Sequence, residues 1–247
     1  TAAIRPGTAG ADTGTTMDTG IMVMDDGSLY RLLAWLSPSY PVGAFAYSHG
    51  IEWAVEDGRV RDEQTLGDWI ADLIAFGGGW SDAVLFAKAY SVSGDAARLK
   101  DLNEYALALS PSAERHLETS AQGTAFLKTT VEAWPWRGAE SLDRSLMACV
   151  AYPIAVAIAA AGHGIARPEA LRAYIHATAA NLVSAGVRLI PLGQTAGQRI
   201  LARLEGVVAE TAIKAEAAPI EAVGGIAVLS DIAAMRHETQ YTRLFRS

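Results

Sequence analysis

The spacing of apolar side chains is helical along nearly the whole chain. Leu29, Leu32, Leu33 and Leu36 recur at i, i+3, i+4 and i+7, which predicts a helix opening at Ser28. Pro38 and Pro41 stop it, and the segment 37–43 must be extended, because residues before proline avoid the helical region. A second helix is expected from about 45–48 through Glu56, closed by Gly58. Thr65 to Asp68 reads as a capping box, with Leu66, Trp69, Ile70, Leu73 and Ile74 on one face behind it. Gly77, Gly78 and Gly79 end that helix, and further helices follow over 82–92, 95–109 and 112–132, with Pro111 parting the last two. The run 142–162 is the most apolar and predicts the centre of the bundle. Residues 168–189 carry Leu171, Tyr174, Ile175, Leu182 and Leu189 at coiled-coil-like spacing, with Ala177, Ala179, Ala180 and Ser184 allowing close approach. A helix over 194–214 and a linker over 219–225 precede the last segment. Nowhere does a period-two alternation of β-branched residues persist. The expected fold is all-α, one bundle of about ten helices over residues 28–247.

The two ends of the chain differ. Residues 1–27 hold five Gly and six Thr and little large apolar surface, so burial cannot offset chain entropy and a mobile arm is expected. They lack the basic start and apolar stretch of a signal peptide, which predicts a cytoplasmic protein. The last residues interleave Met235, Tyr241, Leu244 and Phe245 with Arg236, Arg243 and Arg246, residue types that interface cores favour. Ser230 is a plausible N-cap for a helix over 231–240. Residues 241–247 are expected to order on contact with a partner.

Composition narrows the function. A net charge of -7 and a pI near 5.2 argue against nucleic acid or an anionic membrane as partner. The apolar run ending at Ala161 is interrupted by Pro153 and falls short of the ~20 residues of a membrane span. Cys149 stands alone, so no internal disulfide forms, and it reads as a small core residue.

Local chemistry is sparse. His49, His116, His163, His176 and His237 show no ligand spacing, so no metal or cofactor is expected. The three glycines at 77–79 match no phosphate-binding loop. Ser48 and His49, taken as helical neighbours, would point about 100 degrees apart, poor geometry for a nucleophile and base. Trp134-Pro-Trp-Arg-Gly138 reads as a packed loop. No catalytic residue is assigned.

The stretch Leu36-Ser-Pro-Ser-Tyr-Pro-Val-Gly-Ala-Phe-Ala-Tyr-Ser-His-Gly-Ile-Glu-Trp53 resembles the signature of the UreF family of urease accessory proteins, SPxxPVGxFxYSxGLE. Residues 181–198 and the tail from Met235 to Ser247 are similar to two further family blocks, in the same order. Tyr40 and Gly186 depart from the family's usual leucine and alanine. The resemblance implies an all-helical, dimerising, non-catalytic adaptor. With UreD (UreH in some species) such proteins recruit the GTPase UreG to apo-urease, where nickel is inserted. It implies a tail used in complex assembly, and on the chemistry of their side chains Met235, Arg236, Tyr241, Arg243, Leu244 and Phe245 are expected at the UreD contact. Arg243 would hold the loop Pro191, Gly193, Gln194 and Thr195 in shape to face UreG. Pro38, Pro41, Gly43 and Tyr47 form a structural hook. Two rival readings stay open. One is direct control of UreG hydrolysis through Arg188, Arg199 or Arg243. The other is a helical enzyme using Cys149 or Glu52 in an apolar pocket.

Overall fold

The computed structural model describes residues 26–247, and among them every regular element is helical. The expected arm 1–27 lies outside the described residues except at its end, where Asp26 and Gly27 open the first helix. The eleven α-helices are α1 (Asp26–Trp35), α2 (Ile51–Glu56), α3 (Glu63–Phe76), α4 (Gly78–Ser91), α5 (Ala96–Ala108), α6 (Ala113–Ala133), α7 (Arg144–Ala148), α8 (Tyr152–Gly162), α9 (Arg167–Leu189), α10 (Gln194–Ala217) and α11 (Val228–His237).

Helix α8 sits at the centre. It is apolar on every side, and Pro153 to Ala160 are all buried, as a helix without a polar face must be. It packs on α4, α6 and α9, while α10 lies across α3, α4 and α9. Two glycines make these crossings close. A Cβ on Gly123 of α6 would lie 2.1 Å from the Val150 carbonyl oxygen, and one on Gly186 of α9 would lie 2.4 Å from Leu66 Cδ2. Gly186 therefore makes room for Leu66, beyond any weakening of its own helix.

Several boundaries differ from expectation for identifiable reasons. The predicted helix 142–162 is broken into α7 and α8, because Cys149 and Ala151 are extended. Asn103 of α5 holds the break open: its amide donates to the Cys149 carbonyl at 3.0 Å and its oxygen accepts from the Ala151 N–H at 2.8 Å. Cys149 is thus half-buried in a bend rather than deep in a helix. Helix α3 starts at Glu63, not Thr65, since the N-cap is Asp62 and Thr65 is its reciprocal partner. Helix α11 begins at Val228, ahead of Ser230.

The Leu stripe of α1 is only half used. Leu32 is buried, whereas Leu29, Tyr30 and Leu33 are exposed. Trp134 and Trp136 plug the bundle: Trp134 meets Trp35 edge-on at 6.1 Å, and Trp136 occupies the space beside Gly162. The run Glu63–Ser91, α3 and α4 together, is long and apolar enough to cross a membrane, and 61% of its most apolar window is buried in the bundle.

Candidate functional site

The hook turns the chain twice with left-handed backbone. Gly43 (φ 73) opens a single 3-10 turn at Ala44–Ala46, Tyr47 is extended and buried, and His49 (φ 56) and Gly50 (φ 76) then reverse the chain into α2. The expected start near 45–48 fails because these two left-handed residues cannot belong to a right-handed helix. At Gly50 a Cβ would lie 2.6 Å from the Ala234 backbone nitrogen. Only glycine lets α2 begin against α11. Tyr40, in the hook, donates to or accepts from Thr130 Oγ1 at 2.8 Å and stacks near Phe126.

This reversal places the hook under the last residues of the chain. Arg246 N–H donates to the Ala46 carbonyl at 2.8 Å, and Ser48 donates to the Ser247 carbonyl oxygen through both its N–H, at 2.6 Å, and its hydroxyl, at 2.5 Å. Glu52, in the first turn of α2, accepts the N–H groups of Leu244 at 2.5 Å and Phe245 at 2.8 Å. Residues 241–247, expected to order on a partner, are held by their own chain.

Two more carboxylates of α6 complete the seat. Glu118 is 1% exposed, yet it accepts from the Ser247 hydroxyl at 2.7 Å and from Gln122 at 3.1 Å. It also pairs with Arg115 and lies 2.9 Å from His49 Nδ1. Burial would raise its pKa, but Arg115, His49 and Ser247 outweigh that and hold it at about 2. Burial and the nearby Arg115 push His49 below the usual histidine value against the pull of Glu118. Glu114 accepts from Arg243 at 2.6 Å and faces His237 Nδ1 at 2.6 Å, while His237 Nε2 faces Glu52 at 3.1 Å. Glu238 accepts the Ala113 N–H at 2.7 Å, tying α11 to the start of α6.

One cation joins this seat to α9. The Arg188 guanidinium lies 3.6 Å from the Phe45 ring centre and 4.3 Å from that of Phe245, and donates to the Phe45 carbonyl at 2.9 Å. Phe245 is 4% exposed, so it is an anchor into this chain rather than a free side chain. Arg243 is bonded to Glu114, and Arg188 is the residue tying the tail to the end of α9 just ahead of the 191–195 loop. Tyr241, Leu244, Met235 and Arg236 all point outward, with Tyr241 fully exposed. Pro191 and Gly193 are exposed in the turn between α9 and α10, whereas Gln194 and Thr195, expected in the loop, are exposed in the first turn of α10. Of the hook residues, Pro38, Pro41 and Gly43 are exposed and Tyr47 is buried.

The structure separates other pairs that sequence brought together. Ser48 and His49 lie ahead of α2, and each serves a different partner, Ser247 and Glu118. Glu52 sits among backbone amides, not in an apolar pocket. Arg188, Arg199 and Arg243 all have partners within the chain, Arg199 on Glu63 at 2.5 Å. Among the described residues no three His, Cys, Asp or Glu side chains converge as a metal site. The residues that sequence missed, Glu114, Glu118 and His237, share one trait: each is a polar side chain at a position that the helical pattern turns inward.

Fold and site together define an all-helical protein whose elaborated surface is a strapped-down tail segment. The UreF family model matches residues 60–205 of this chain. The urease accessory protein UreF of Methylobacterium sp. (strain 4-46) is 52% identical over 218 residues, covering 87% of each chain. That of Rhodopseudomonas palustris (strain HaA2) is 49% identical over 225 residues, covering 89% of this chain and 94% of its own. That of Methylorubrum populi is 50% identical over 219 residues, covering 88% and 98%. The chain belongs to the UreF family of urease accessory proteins, and its role is an accessory one in urease maturation.

Proposed function

We propose that this chain is a non-catalytic adaptor of the cytoplasm which, as a homodimer with UreD (UreH), recruits the GTPase UreG to apo-urease for nickel insertion. One observation supports the reading most: a tail fixed at its buried end by Phe245 and Ser247 turns Tyr241 and Leu244 outward, 103% and 66% exposed. Side chains of this size in water cost free energy unless something covers them, at about 25 cal/mol per Å² of apolar area. A rigid mount keeps the ordering cost of that contact low. Met235 and Arg236, on the outer face of α11, extend the same surface towards UreD. The exposed residues Pro191 and Gly193 of the turn and Gln194 and Thr195 at the start of α10 are assigned to UreG, with Arg188 of the preceding helix carrying the tail's influence to them.

The test is urease produced together with UreD, UreG and either the native chain or a Tyr241→Ala, Leu244→Ala variant. The reading expects the urease to lose nickel and activity while the variant melts at the native temperature. Full nickel loading with the variant would sink it.

A further inference from the structure

We propose that Glu52 and Glu114 are positioning residues for the tail, and that they hold it through a His237 ring carrying a proton on both nitrogens. The inference starts from counting donors. His237 is 0% exposed, and its two ring nitrogens face carboxylate oxygens of two different helices, Glu52 of α2 at 3.1 Å and Glu114 of α6 at 2.6 Å. A neutral imidazole has one N–H and one lone pair, so one of these contacts would set a lone pair against a carboxylate oxygen. The array needs one more proton than a neutral ring and two carboxylates contain.

The other partners decide where that proton resides. Glu52 already accepts two backbone N–H groups, from Leu244 and Phe245. Glu114 accepts from the permanently charged Arg243. Both therefore act as ionised acceptors, and the extra proton belongs to the ring. The charges then balance: two carboxylates face one imidazolium and one guanidinium. Removing the proton leaves a buried, uncompensated negative charge, which a low-dielectric site opposes.

The remaining charged groups around the ring do not supply a substitute. Glu118, one turn along α6 from Glu114, pairs with Arg115 and with His49 of the hook. Glu238, next to His237 on α11, is turned towards the Ala113 N–H. The ring is consequently the pin between α2, α6 and α11, and Glu52 relays it to the tail backbone.

The meaning for assembly rests on the tail's being the partner-facing surface, but the latch itself belongs to the isolated chain and is tested there. With the full chain labelled with 15N-histidine, both His237 ring nitrogens should resonate as imidazolium at pH 6. The Leu244 and Phe245 amides should be protected from hydrogen exchange. As pH is raised to 9, loss of the ring's second proton should coincide with a fall in that protection, corrected for intrinsic exchange, while Ile158 in the core stays protected. A ring still doubly protonated at pH 9, with protection intact, supports the latch equally. Glu52→Gln should lower the protection about tenfold or more at pH 6, the loss of a charge-assisted hydrogen bond. His237→Gln should lower it to a level that no longer changes with pH. A single neutral tautomer at pH 6, a ring that deprotonates without loosening the tail, or undiminished protection in Glu52→Gln would overturn the proposal. If the latch behaves as described yet tail variants assemble normally with UreD, the partner reading fails and the latch stands.

Discussion

Glu118→Gln replaces one carboxylate oxygen by an amide group at nearly constant volume, so it isolates the contribution of a buried charge. The native carboxylate is 1% exposed and is served by Arg115, His49, Gln122 and the Ser247 hydroxyl. Burial disfavours the charged form, and these partners more than reverse that, moving the pKa from 4.5 to about 2. At ~1.4 kcal/mol per unit the shift corresponds to about 3 kcal/mol of stability. The folded value is the lower one. The contribution is therefore complete above pH 4.5, the unfolded value, and disappears as pH falls towards the folded value. Urea unfolding followed by circular dichroism should show the variant about 3 kcal/mol less stable at neutral pH, with the gap narrowing steadily between about pH 4.5 and pH 3. A gap below about 1 kcal/mol at neutral pH, or one that does not change on acidification, would refute the reasoning, because either result would mean that the buried charge is not stabilised by its partners.

Other expectations follow from single contacts. Gly50→Ala forces a Cβ to within 2.6 Å of the Ala234 nitrogen at φ 76, and should cost about 2 kcal/mol or more, read as a melting point lowered by roughly 4–8 °C. Arg188→Ala removes the cation shared by Phe45 and Phe245, and should cost about 1–2 kcal/mol and speed tryptic cleavage after Arg243 and Arg246. Tyr241→Ala should leave stability within about 0.5 kcal/mol, since its side chain touches solvent alone.

Periodicity made most of the fold legible, because a pattern such as Leu66, Ile70, Leu73 and Ile74 can satisfy only one face of one helix, and these four are all buried. It misled where a side chain overrode the local pattern. Pro153, which has no N–H for the Cys149 carbonyl, is the local signal of the break, but the side chain that holds it open, Asn103, lies more than forty residues away. At Gly186 the departure from the family's usual alanine makes room for Leu66, a contact that no local pattern shows. The tail was legible as an unusual sequence and as a family block, but its seat was not. Glu52, Glu114 and Glu118, and His237 lie on three different helices, α2, α6 and α11, and an inward-turned charged residue cannot be told from a solvated one until its partners are placed. Arg243 illustrates the limit: it is expected to hold the segment 191–195, and the structure pairs it instead with Glu114, on an element the tail does not neighbour in sequence.

The adaptor account is tested most directly by light scattering on size-exclusion fractions of this chain mixed with UreD and UreG. Three chains would be compared: native, Tyr241→Ala with Leu244→Ala, and a version ending at Gln240. The account predicts a single large species containing all three proteins with the native chain, and its loss with both altered chains. The same large species formed by the doubly substituted chain would contradict it, because the outward side chains of the tail would then contribute nothing to assembly.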